Sequence, residues 1–133
     1  MSYILDSSAI FEAVKSSRVE TVSGNYTLEL ARYELGNTLW KEYSLYKKIN
    51  SEELKQLIIL FKKVFNLVKL IELECCEEKI LDVAERLRIT FYDASYVFFA
   101  QERGIPLITE DEHLINRVGG YIKTLRLQSV NHT

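Results

Sequence analysis

Four acidic residues stand at points of the sequence where a carboxylate could take part in chemistry: Asp6, Glu34, Asp93 and Asp111. Asp6 directly follows an apolar run typical of a buried strand, and Asp111 follows a second such run, PLIT, by two residues. Asp93 stands at the start of a helical pattern, and Glu34 lies at the rim of another helix's apolar stripe. Ligands collect at the carboxyl edge of a parallel sheet, so we expect these acids to converge there.

Each of these acids also has a purely structural interpretation. Asp6 and Asp93 are suitable helix N-caps, and Asp111 could be a first-turn acid that the helix dipole stabilises. Glu34 taken alone could be a surface glutamate. Caps have no reason to converge, however, and gathered carboxylates repel each other unless protons or cations intervene. Oxygen-only ligands suit Mg²⁺ or Mn²⁺, and such sites typically activate water against a phosphodiester.

The elements that must position these acids alternate between strand and helix at short spacing. This pattern predicts a three-layer α/β/α sandwich with a mainly parallel central sheet, formed by one domain over residues 1–133. The first strand is expected over residues 2–6, and a helix from Ser8 to about Lys15. The segments NLVKLIEL, PLIT and YIKTLRL are further strand candidates.

Cap signals predict where the helices begin. Thr27 is expected to cap a helix that runs to about Lys48, and Asn50 to start the next helix. Asp93 is expected to cap the helix YDASYVFFAQER, with Gly104 just past its end. The inner stripe of the Thr27 helix is expected to contain Ala31, Leu35, Leu39 and Tyr46.

Composition excludes several functional classes. The formal charge of −2 does not indicate a general affinity for nucleic acids, although residues 41–69 carry seven lysines against three glutamates. The two cysteines are sequence neighbours, and two histidines are too few for a zinc motif, so we expect reduced thiols in a cytoplasmic protein. No apolar run approaches the roughly 20 residues of a membrane span.

The segments YILDSSAI, ARYELGNTL and TFYDASYVFFAQERGIPLITEDEHL resemble the PIN domain, especially the VapC-type toxin ribonucleases. The resemblance implies that Asp6, Glu34, Asp93 and Asp111 bind Mg²⁺ or Mn²⁺ and that the protein is an endoribonuclease acting on RNA. It also implies a small antitoxin as partner. Ser8 and Thr109 would then be hydroxyls that orient the carboxylates, although a turn or cap role is equally open.

A homodimer is a further expectation, since the apolar face around Leu57, Ile59, Leu60 and Phe61 is wider than one helix needs to meet its own sheet. Its alternative is that the monomer covers this face itself.

Three other functions are alternatives to a ribonuclease. A haloacid-dehalogenase-like phosphatase needs a second Asp two residues after the first, and Ser8 stands there. A response-regulator receiver needs an Asp after its third strand, where VKLIELECC offers only glutamates. The strongest rival is a PIN-like module that binds RNA or protein without cleaving, against which the four intact acids argue.

Overall fold

A computed structural model describes residues 1–130 and shows one sheet of five short strands. Every neighbouring pair of strands is parallel, and the spatial order is third, second, first, fourth, fifth. The strands are β1 (Ile4–Leu5), β2 (Tyr26–Leu28), β3 (Lys69–Ile71), β4 (Leu107–Ile108) and β5 (Thr124–Leu125).

Six α-helices flank the sheet. They are α1 (Ser7–Lys15), α2 (Leu30–Trp40), α3 (Ser51–Leu67), α4 (Glu77–Leu87), α5 (Phe91–Arg103) and α6 (Glu112–Val118). Single 3₁₀ turns lie at Val19–Thr21 and Leu127–Ser129. Within residues 1–130, no helix combines the length and the apolar composition needed to cross a bilayer.

The two residues of β1 face opposite layers of the molecule, because successive side chains of a strand alternate. Leu5 joins a buried cluster with α1, α2 and α3, whereas Ile4 joins a second cluster with α4, α5 and α6. The predicted three-layer sandwich is therefore confirmed. The extent of the domain over residues 1–133 stays a prediction, since residues 131–133 lie outside the described part.

The predicted cap of α2 is wrong. Thr27 lies inside β2, fully buried, and its Oγ1 donates a 2.7 Å hydrogen bond to the carbonyl of Leu5. The helix α2 begins only at Leu30, and Glu29 rather than Thr27 occupies the position directly before it. Ala31, Leu35 and Leu39 are buried as expected.

The far end of α2 also differs from the expected helix to Lys48. The α-helix ends at Trp40 and continues as a π-helical turn, Lys41–Leu45, which buries none of its residues. Tyr46, expected in the inner stripe, is 54% exposed. The predicted position of Tyr46 is therefore wrong, because its helical spacing continues past the point where the helix stops burying side chains.

The start of α3 matches the sequence. The Asn50 side chain accepts a 2.8 Å hydrogen bond from the Glu53 N–H, and the Glu53 carboxylate accepts one of 3.0 Å from the Asn50 N–H. These reciprocal bonds form a capping box. Phe61 is buried, and Leu57 and Leu60 pack partly against the same core, so most of the wide apolar face of α3 is covered within the monomer.

Candidate active site

Asp6 lies directly after β1 and is 5% exposed. Its Oδ1 accepts hydrogen bonds from Ser8 Oγ at 2.6 Å and from the Ala9 N–H at 3.0 Å, so Asp6 is the N-cap of α1. Burial raises the pKa of Asp6 to about 6; the hydrogen bonds of Ser8, Thr109 and Ala9 oppose this rise, and the Asp93 charge adds to it. Asp6 is therefore the cap of α1, and burial of its charge is also energetically unfavourable.

Two hydroxyls connect the ends of β1 and β4. Ser8 Oγ lies 3.3 Å from Thr109 Oγ1 and accepts the Glu110 N–H at 2.9 Å. Thr109, fully buried, accepts the Asp111 N–H at 3.1 Å. The two segments that carry Asp6 and Asp111 are thereby held side by side, which is the position expected for residues that orient carboxylates.

Glu34 reaches the same region from α2. Its Oε1 accepts a 2.8 Å hydrogen bond from the hydroxyl of Tyr96, which is 1% exposed. Burial raises the pKa of Glu34, the bond from Tyr96 lowers it, and the Asp93 charge raises it again. Burial and the neighbouring Glu34 carboxylate also raise the pKa of Tyr96, so its hydroxyl keeps the proton and acts as a donor.

Tyr96 is the site residue that sequence reasoning missed. The signal was present, because Tyr96 lies three residues after Asp93 and residues three apart share one face of a helix. A tyrosine in an apolar helix is also typical of a core residue. Its hydroxyl instead anchors the carboxylate that α2 contributes.

Asp93 is not the N-cap of its helix, contrary to expectation. Thr90 is the cap, and its Oγ1 accepts the Asp93 N–H at 3.1 Å. The spacing Thr-x-x-Asp could have shown this, because it is a capping signature. Burial raises the pKa of Asp93, and the Asp111 charge adds to the rise, while Thr90 and His113 lower it. Asp93 is therefore an acid of the first turn of α5 and not its N-cap.

Asp111 caps α6, where its Oδ1 accepts the Leu114 N–H at 3.2 Å. Its charge raises the pKa of Asp93, and the Asp93 charge in turn raises the pKa of Asp6 and of Glu34. The four acids thus form electrostatic pairs that share Asp93: Asp6 with Asp93, Glu34 with Asp93, and Asp93 with Asp111. The structure brings all four predicted acids to one edge of the sheet.

The donor set fits a hard divalent cation in its chemistry. Every candidate ligand is a carboxylate, and within residues 1–130 the groups with the largest effects on the pKa of Asp6, Glu34 and Asp93 include no lysine or arginine. The side chains are paired rather than tightly gathered, since no group of three or more His, Cys, Asp or Glu in residues 1–130 is close enough to hold an ion. One oxygen of Asp6 and one oxygen of Asp111 already accept hydrogen bonds from helix N-termini.

Comparisons with known proteins agree with this geometry. The PIN domain model matches residues 3–121. Exonuclease VapC9 from Pyrobaculum aerophilum is 33% identical over 124 residues, which are 92% of this chain and 90% of that protein. The crystal structure of PAE2754 from Pyrobaculum aerophilum aligns with a TM-score of 0.79 and 28% identity, over 97% of this chain and 94% of the other. The chain therefore belongs to the PIN domain family.

Proposed function

We propose that this protein is a metal-dependent ribonuclease and the toxin of a toxin–antitoxin pair. The observation that carries the proposal is Asp93, a half-buried acid that is not the N-cap of its helix and whose pKa is raised by burial and by Asp111. Such a costly arrangement of like charges is typical of a functional site. A PIN-like module that only binds would have no need to keep it.

The four acids would have distinct roles at this site. Asp6, Asp93 and Asp111 would hold Mg²⁺ or Mn²⁺, and Glu34 would orient the attacking water or hold a second ion. When bound, the ion lowers the pKa of water and stabilises charge on the phosphate. Ser8 and Thr109 would fix the orientation of Asp6 through the hydrogen bonds described above.

Cleavage of RNA tests this proposal. Purified protein is expected to cut single-stranded RNA with Mn²⁺ or Mg²⁺ and to stop when EDTA is added. A circular RNA substrate separates the expected endonuclease from an exonuclease, the activity named for the relative VapC9, because only an endonuclease can open a circle. Cleavage that persists in EDTA would contradict the metal requirement.

Replacing Tyr96 with phenylalanine is expected to lower the cleavage rate roughly 10-fold, as loss of a group that orients a ligand typically does. The bond from Tyr96 lowers the pKa of Glu34, so removing it should move the acidic limb of the pH–rate profile to higher pH.

Tyr121→Phe is the matched control for Tyr96→Phe, since it removes a hydroxyl that bonds Gln101 at the surface. An unchanged rate and an unmoved acidic limb in Tyr96→Phe would show that Tyr96 only fills space.

The protein is also proposed to act in the cytoplasm, to form a homodimer and to bind a small antitoxin. Support for association comes from the exposed apolar side chains around the end of α2, where Trp40 and Leu45 are each 55% exposed. Light scattering is expected to give twice the monomer mass. The Trp40→Ser substitution is expected to lower the measured mass. A monomer at high concentration would contradict the dimer.

A further inference from the structure

A half-open, mostly apolar cavity of about 280 Å³ lies beside the candidate active site. Leu28 and Ile71, at the ends of β2 and β3, line it together with Phe99 of α5. Phe91 and Tyr92 line it from the first turn of α5. This volume falls just below the roughly 300 to 1,000 Å³ of pockets for drug-sized ligands, so it suits one planar ring system.

The cavity shares its chain segments with the acids. Tyr92 immediately precedes Asp93 in α5, and Leu30, which also lines the cavity, begins the helix that carries Glu34. If one phosphate of a bound polymer lies at Asp93, the next monomer of that polymer would therefore lie at the opening of the cavity. Continuity with the carboxylates identifies the occupant as part of the substrate.

The lining excludes a phosphate group and favours a nucleobase. The residues that line the cavity, all within the described part of the chain, include no lysine or arginine, whereas Glu29 and Glu72 are among them. Glu29 is in an ion pair with Arg32 at 2.8 Å, and Glu72 is exposed. Carboxylates repel phosphates but accept hydrogen bonds from base amino groups.

Tyr92 supplies the aromatic surface on which a base could stack. The side chain lines the cavity and is 59% exposed, so one face of its ring is accessible to a ligand. Phe91 lies next to it, and Ser95 contributes a hydroxyl that at present donates to the Phe91 carbonyl at 2.8 Å. Stacking on an aromatic side chain is the common way to hold a single-stranded base.

We propose that this cavity, defined by Leu28, Ile71, Phe91, Tyr92 and Phe99, binds one nucleobase of the substrate strand and prefers bases that carry an amino group. The inference rests on the proposed function for the identity of the substrate. The recognition itself rests on the shape, aromatic lining and acceptor groups of the cavity. Guanine, adenine and cytosine are therefore expected to bind more tightly than uracil.

Titration with free nucleosides tests the cavity without any cleavage. Methyl NMR signals of Leu28 and Ile71 are expected to shift with millimolar guanosine and cytidine in EDTA, less with uridine, and not with ribose. Tyr92→Ala should weaken guanosine binding about 5-fold or more, the lower bound for losing one stacking contact. Tyr33→Ala is the matched control, since Tyr33 is an exposed tyrosine of α2 outside the cavity.

N-acetyl-leucinamide, a mimic of a protein side chain, separates a base site from a protein-docking site. Equal shifts with this probe, or none with any nucleoside, would overturn the inference. A wild-type protein that binds nucleosides yet cuts no RNA would instead overturn the proposed function alone.

In an active enzyme, removing the base that the cavity binds should weaken binding of the RNA substrate. One abasic position near the scissile bond is expected to raise KM about 5-fold or more, and Tyr92→Ala should add no further loss on that abasic strand. Equal losses for Tyr92→Ala on intact and abasic strands would contradict base binding.

Discussion

Replacing Asp6 with asparagine is expected to lower metal-dependent cleavage by at least about 100-fold while the protein stays folded. Loss of a group that only orients a ligand typically costs 10- to 100-fold, and loss of a ligand should cost at least as much. Asparagine caps a helix about as well as aspartate, so the bond from Ala9 to the side chain can persist. A quantitative cleavage assay with excess Mn²⁺ measures the effect.

Asp82→Asn is the matched control for this substitution, because Asp82 is an exposed aspartate of α4 whose partner is Arg86 at 2.7 Å. It should cleave like the wild type. An Asp6→Asn protein that retains most of the wild-type rate would show that Asp6 is a cap and contributes nothing to chemistry.

The second large effect concerns the stability of the metal-free protein. At pH 7 in EDTA, Asp6→Asn is expected to unfold with a free energy up to about 3 kcal/mol higher than wild type, since each unit of pKa difference corresponds to about 1.4 kcal/mol. The pKa of Asp6 is raised from 3.8 to about 6 because burial disfavours its charge. Asparagine carries no charge to bury.

The sign of the pH dependence follows from the same shift. Between about pH 4 and pH 6 the folded protein binds more protons at Asp6 than the unfolded chain does, so wild-type stability falls as pH rises through this window. The advantage of Asp6→Asn should therefore vanish near pH 4 and reach its maximum above pH 6. Glu34 and Asp93 shift the wild type in the same direction.

Urea unfolding in EDTA at pH 4, 5 and 7 measures this dependence, with Asp82→Asn as the reference. A wild type that is more stable than Asp6→Asn at pH 7, or a difference that does not change with pH, would mean that Asp6 is stabilised by its partners rather than strained by burial.

The sequence was informative where the local pattern and the tertiary structure agree. Asp6 and Asp111 follow buried strands, and strand ends of a parallel sheet meet at one edge, so their convergence could be predicted. Asn50 and Glu53 form a capping box through residues three apart, which requires no knowledge of the rest of the chain.

Prediction failed where one residue type fits two environments. Thr27 resembles a helix cap, but its hydroxyl bonds a carbonyl of the neighbouring strand, and strand pairing is not visible in local spacing. Tyr96 resembles a core residue because its ring is buried, and only its bond to Glu34 across 62 positions reveals its role. Tyr46 has core spacing, but it follows a π-helical turn that buries none of its residues.

The central claim is that the carboxylates around Asp93 share a divalent cation, and a Mn²⁺ titration followed by thermal unfolding tests it most directly. Wild type is expected to gain about 2.7 kcal/mol of stability at a hundredfold excess of Mn²⁺ over Kd. Asp6→Asn should lose most of that gain, while Asp82→Asn keeps it. Equal Mn²⁺-induced shifts in wild type and Asp6→Asn would contradict the account, because Asp6 would then hold no metal.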